Sequence, residues 1–342
     1  MPGRPIHGKR LLMTRLQKLA AAALVSVLTL MFVGATVRVT GAGMGCPDWP
    51  VCWGRVIPPT SVDDVDFARL PIEKFRAKAA RMGRDPATIT EASLRQEFNP
   101  RHVWTEFANR LTSLPVGLFV LTTFIAACWH LRRRPLVFGM AATGLAIVLV
   151  NAWMGARVVY SGLSPGVLTV HLALAMGLLG ALMYCAWRGT DTPWRIQLSS
   201  PVHARLRLAV TLLLVAIVLE GILGSQVREI TDEMSKFHGQ VDRSTWTGAL
   251  ERAVVYLVHR SFSWAVLGTA GWAWILTRRH RIGGPGRVER VVVGIVFAQM
   301  VLGFLMAQFH IYAWVQVLHV GLAASLLAFV WLWRFGLTKP SA

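Results

Sequence analysis

Charge is what this sequence has least of. Only 15% of its 342 residues are Asp, Glu, Lys or Arg, and 54% are hydrophobic. A soluble domain carries about 25% charge, so a water-soluble globular chain is excluded. Acidic residues are the scarcer sign, 17 against 36 basic, for a formal net charge of +19. Such an excess first suggests nucleic acid. The basic residues, however, lie in short stretches between apolar runs, which is the positive-inside pattern of an inner-membrane protein and excludes nucleic acid as a partner. No nucleotide motif of the soluble kind is present, so electrons for any redox chemistry have to come from a protein or a quinol. Cysteine is also sparse, with four residues. Cys128 and Cys185 fall in apolar runs and read as bystanders. Cys46 and Cys52 share the stretch Gly-Cys-Pro-Asp-Trp-Pro-Val-Cys. Such a pair suits a disulfide in an oxidising compartment; a metal site is the alternative, short of a third or fourth ligand.

What fills the chain instead is apolar length. Eight runs reach the roughly 20 residues needed to cross a bilayer: 17–38, 105–130, 135–157, 165–187, 206–227, 253–277, 288–309 and 315–335. Basic clusters within 4–18, 132–134, 188–207, 278–290 and 334–339 alternate with them, which places both termini in the cytoplasm. The fold expected is an all-α, multi-pass membrane protein of eight transmembrane helices in the bacterial inner membrane. The first run also has the look of a cleavable signal peptide; a retained helix is preferred because the repeat described next needs it. The outer loop 41–103 is long for a connection without a job. Its basic and acidic residues nearly cancel, Pro58-Pro59 and Asn99-Pro100 mark turns, and 63–82 and 86–98 are expected to form short surface helices. A second outer loop is expected at 229–252. The polar link 188–205 is the boundary between two halves, 1–190 and 191–342.

Those halves align. Val170-His171-Leu172-Ala173 matches Leu318-His319-Val320-Gly321, Asn109-Arg110 matches His259-Arg260, and Gly34, Val37 and Arg38 match Gly224, Val227 and Arg228. Each half has an even number of spans, so the halves are parallel, related by a pseudo-two-fold axis along the membrane normal as two four-helix bundles. A lone histidine on an apolar face is more often a satisfied core residue than a ligand. Here His171, His259 and His319 recur at equivalent depth. Imidazoles on neighbouring helices at matched depth are what a haem iron needs as axial ligands, and His259 with His319 is the pair that fits. Zinc lacks further ligands, and tunable histidines in a proton path are the other rival. Arg38, Arg110, Arg157, Arg228 and Arg260 all fall on the outer side, where guanidinium groups bind haem propionates. Snorkelling at the interface accounts for one or two of them. Glu106, Asn109 and Arg110 share one helix face; alone, that reads equally as a polar helix start with Glu106 and Arg110 paired.

With those residues in hand, the chain resembles the haem A synthases over nearly its whole length. The resemblance rests on eight helices in two halves, the Cys46/Cys52 loop, Glu-Phe-Ala-Asn-Arg at 106–110, histidines at 171, 259 and 319, and Gly-Ser-Gln-Val-Arg-Glu at 224–229. It implies oxidation of the C8 methyl of haem O to a formyl by successive hydroxylations, for cytochrome oxidase assembly. Haem O would enter the N-terminal half, where His171, Asn109 and Arg110 form the substrate site and Glu106 is the catalytic carboxylate. Haem b would be the cofactor of the C-terminal half, held by His259 and His319. The implied propionate partners are Arg38, Arg157, Arg228 and Arg260. A haem O synthase and oxidase assembly factors are implied partners, together with the lipid membrane, and there is room for a homo-oligomer. Asn109 stands where many members have histidine, so His171 is expected to be the sole protein ligand to the substrate iron. The rival functions are a di-haem membrane cytochrome b that only carries electrons and a haem chaperone without chemistry.

Overall fold

The structure is a computed structural model and describes residues 13–81, 83–161, 166–198, 202–238, 248 and 250–338. Residues 4–12 and 339 of the expected basic ends, and 239–247 and 249 of the expected second outer loop, lie outside the described residues. Ten α-helices and no strand occur among the described residues: α1 (Arg15–Val39), α2 (Ile72–Arg81), α3 (Glu91–Glu97), α4 (Pro100–Cys128), α5 (Pro135–Tyr160), α6 (Val167–Arg188), α7 (His203–His238), α8 (Val254–His280), α9 (Arg287–Gln308) and α10 (Ala313–Gly336).

Local chemistry sets the helix starts. Thr14 caps α1 in a capping box, accepting from the Gln17 N–H at 3.2 Å while Gln17 Oε1 accepts from the Thr14 N–H at 3.1 Å. Asn99 caps α4, accepting from the N–H groups of Arg101 and His102. Pro100 then takes the first helical position, where its missing N–H is no loss. The Asn99-Pro100 turn is therefore a helix entrance, and α4 begins a turn before the apolar run does.

Seven of these helices, α1, α4, α5, α6, α7, α9 and α10, are long and apolar enough to cross a membrane, which makes this a multi-pass membrane protein. The eighth expected span, α8, has 27 residues but is not in that set. His259, Arg260 and several hydroxyl-bearing residues dilute its apolar stretch. A second departure is at α7, which was expected to end near 227 and runs to His238. Ile230 and Met234 of this extension pack with Val227 and Tyr256 around the buried Leu250 and Ile311. The extra turns thus have a partner surface that an apolar count does not reveal.

The long helices pack in two closed sets of four. In the first, α1 touches α4 and α6, while α5 touches α4 and α6; in the second, α7 touches α8 and α10, while α9 touches α8 and α10. The sets meet where α10 lies against α1 and α6, and where α6 lies against α7. Small residues allow these approaches: a Cβ on Gly321 of α10 would fall into the Phe32 ring of α1, and one on Gly180 would stand 2.9 Å from the Trp331 indole. The link between the sets is strapped down rather than loose. The Ile196 N–H donates to the Gly336 carbonyl at 2.9 Å, and the Ile282 N–H to that of Gln197 at 3.2 Å.

The outer loop is a small folded cap. Trp53, Phe67, Leu70, Phe75, Leu94 and the Cys46–Cys52 disulfide pack on Val103 of α4. Of the expected surface helices, α2 and α3 form the central parts, with short 3-10 turns around them.

Candidate functional site

In the second set of helices, α8 and α10 bring His259 and His319 together. Their ring centroids are 6.4 Å apart and the planes cross at 84°. Two imidazoles bound to one metal through bonds of about 2 Å would place their centroids about 6 Å apart, so the pair has the span of an axial clamp. Each ring is backed by bare backbone: a Cβ on Gly224 of α7 would lie 3.2 Å from His259 Cε1, and one on Gly303 of α9 would lie 4.0 Å from His319 Cε1. The Nδ1 atoms of both rings are buried without a hydrogen-bond partner. Gln299 Nε2 donates to the His319 carbonyl at 2.8 Å and fixes α9 against α10 at that level. Glu220 of α7 puts Oε1 3.3 Å from His259 Nδ1. That contact is close enough for an ion pair but is not aligned as a hydrogen bond.

The first set repeats this layout with a few side chains changed. Asn109 of α4 takes the place of His259, and a Cβ on Gly34 would lie 3.8 Å from its Oδ1. His171 of α6 takes the place of His319, with Gly155 behind its Cε1 at 3.9 Å. The Asn109 Oδ1, Asn151 Oδ1 and His171 Nδ1 atoms are again buried and unpartnered. Orphaned polar atoms inside a helix cluster are expensive. They recur on the equivalent histidines of both sets. Among the described residues there is no group of three or more His, Cys, Asp or Glu that could hold a metal ion.

Glu106 is buried, at 4% exposure, and both its oxygens are used. Oε2 accepts from the Cys46 N–H at 2.7 Å, and Oε1 accepts from Arg110 Nη2 at 2.7 Å. Arg110 also donates to the carbonyls of Val51, Cys46 and Asp48 at 2.8, 3.2 and 3.0 Å. The pair therefore stitches the disulfide loop to α4. Arg110, expected at the substrate, has its donors turned to the loop. The disulfide expected at Cys46 and Cys52 is formed, and Gly45 beside it has no room for a side chain because a Cβ there would strike the His102 carbonyl.

The arginines separate into two kinds. Arg38 and Arg228 each lie one turn beyond the glycine that backs an axial position, and both are bound by Asp232. The Arg228–Asp232 distance is 3.0 Å; Arg228 also donates to Gln316 of α10. Arg38 Nε is buried and unpartnered, which leaves a donor for a carboxylate ligand. Arg157 and Arg260 are exposed, the former 6.0 Å over the Trp153 ring.

Two acids at this site were not given roles from the sequence. Glu220 had a legible signal, a carboxyl inside an apolar run. Asp232 was legible only in part: Arg228 stands four residues before it, but its other partner, Arg38, lies 194 residues away.

The sequence model of a family described as cytochrome oxidase assembly protein matches residues 17–331. A Heme A synthase of Methylobacterium sp. (strain 4-46) is 27% identical, over 86% of this chain and 84% of that one. The Heme A synthase of Sphingopyxis alaskensis is 26% identical, over 88% and 86%. That of Caulobacter vibrioides is 26% identical, over 92% and 93%.

Proposed function

Because the chain belongs to the cytochrome oxidase assembly protein family, we infer that it is a membrane oxidoreductase, a haem A synthase that converts haem O to haem A. The observation that carries this reading is the match over residues 17–331 together with relatives of that name aligned along most of their length. The finer assignments that follow are proposals. The C8 methyl of haem O is the group oxidised, by successive hydroxylations. The protein crosses a bacterial inner membrane eight times with both termini in the cytoplasm, α8 serving as the remaining span. Residues 1–190 form the substrate half and residues 191–342 the cofactor half, related by a pseudo-two-fold axis.

The cofactor half fits haem b. His259 and His319 would hold its iron, and Arg228 and Arg260 would receive its propionates. When bound, the haem iron supplies the electron-transfer and oxidation chemistry. In the substrate half, His171 offers the one strong protein ligand and Asn109 a weak amide, so one face of the substrate haem stays open to a small oxidant. Arg38, with its unpartnered Nε, and Arg157 serve the substrate's carboxylates. Glu106 is the acid of the reaction: its carboxylate, steadied by Arg110 and the Cys46 N–H, holds a proton or faces developing positive charge beside an apolar pocket. The disulfide loop sets where that carboxylate stands. Haem O is supplied by a haem O synthase, and the product passes to oxidase assembly factors; a homo-oligomer is compatible with the exposed apolar helix faces.

Cells expressing this chain with a haem O synthase are expected to yield haem A or its hydroxylated precursor on pigment extraction. Extraction of haem B and haem O alone would overturn the reading and leave an electron carrier or a haem chaperone.

A further inference from the structure

Glu220 is a carboxyl group in the run Val-Leu-Glu-Gly-Ile-Leu-Gly of an apolar helix. A half-buried acid there is expensive unless it has a task. Its Oε1 lies 3.3 Å from His259 Nδ1, while Oε2 is buried with no hydrogen-bond partner. Gly224, one turn further along α7, backs the same imidazole. α7 therefore shows His259 a carboxylate and a bare stretch of backbone on one face. The alignment that pairs Gly34 with Gly224 and Arg38 with Arg228 puts Leu30 opposite Glu220, so the first set of helices has no such acid.

We propose that Glu220 is a positioning residue for His259: it accepts the Nδ1–H, turns Nε2 towards the iron and biases the bound haem towards its ferric state. This rests on the reading that His259 and His319 hold a haem. Metal-bound imidazoles characteristically give their second N–H to a carboxylate or carbonyl, which fixes the tautomer and raises the basicity of the ligating nitrogen. A more basic ligand favours the higher oxidation state. A small rotation of either side chain aligns the 3.3 Å contact as a hydrogen bond.

The test is optical redox titration of the purified, haem-loaded protein with Glu220→Gln and Glu220→Leu. Glutamine still accepts the Nδ1–H but carries no charge; leucine is the residue of the other half. Both variants are expected to keep the two-imidazole absorption bands and to titrate at higher potential. Leucine should shift the ferric–ferrous equilibrium at least tenfold, about 59 mV for a one-electron couple, and glutamine by less. Wild type with two-imidazole bands and both variants titrating within threefold of it would overturn the inference. If leucine gives no loaded protein, glutamine decides alone, an unchanged potential counting against the proposal. A wild-type protein without two-imidazole haem would sink the underlying reading, and this inference with it.

Discussion

At matched positions one set of four helices presents His259 and His319, and the other presents Asn109 and His171. The framework around the two pairs is nearly the same. A glycine backs each position, Gly224 and Gly303 in one set and Gly34 and Gly155 in the other, and an arginine follows one turn after the first glycine of each. The chemistry differs in a few side chains. Glu220 touches the imidazole in the later set, where Leu30 stands in the earlier one. Glu106 closes the earlier set beneath a disulfide, where the repeat places Tyr256 in the later. The duplicated scaffold keeps the glycines and the arginines in place, and a handful of substitutions change the side chains that face each other between them.

The sharpest way to break that comparison is to remove imidazoles from each half. His319→Ala is expected to abolish the two-imidazole absorption bands of the purified protein. His171→Ala should leave those bands in place and abolish haem A formation; equal loss of bands in both would mean that the halves are not divided as described. Glu106→Gln comes next. It should lower haem A formation by about 10²–10⁴, the range of a lost acid–base group, without moving the bands of the resident haem. Glu106→Ala would in addition leave the Cys46 N–H without its acceptor and the Arg110 charge without its carboxylate, and is expected to lower stability by about 3 kcal/mol in thermal unfolding. Asn109→His tests the open face. It should convert the substrate haem from high spin to low spin and reduce turnover; unchanged spectra would remove the coordination argument. Opening the disulfide with Cys46→Ser and Cys52→Ser should destabilise the cap by about 2 kcal/mol, as expected for a short closed loop, and spare the haem bands of the later half. The smallest effect belongs to Asp191→Asn, whose carboxylate pairs with Arg134 in full exposure at the far end of the bundle. Neither bands nor turnover should change.

Much of this was legible in the sequence because a bilayer imposes length and depth on each helix. The apolar runs located the long helices, and the histidine spacing anticipated that His259 and His319 come together on neighbouring helices. Cys46 and Cys52 announced the disulfide through their spacing and side of the membrane. Glu106 and Arg110 read equally as a pair or as site residues, and the structure shows them paired. What was hidden depends on contacts distant in the chain. The extension of α7 to His238 is polar and looks like a loop until Leu250, Ile311 and Arg38 are seen beside it. The three loop carbonyls to which Arg110 donates beside Glu106 carry no sequence signal. α8 falls short as an apolar span because His259, Arg260 and its hydroxyl-bearing residues dilute it.

Asp232 gives one acid group to two guanidinium groups that lie on helices of different sets, Arg38 on α1 and Arg228 on α7. An anion that draws one of them away leaves the other with a larger share of the same countercharge. By linkage, that influence must run equally in both directions. The single carboxylate of Asp232 therefore ties the charge balance of one set of helices to that of the other.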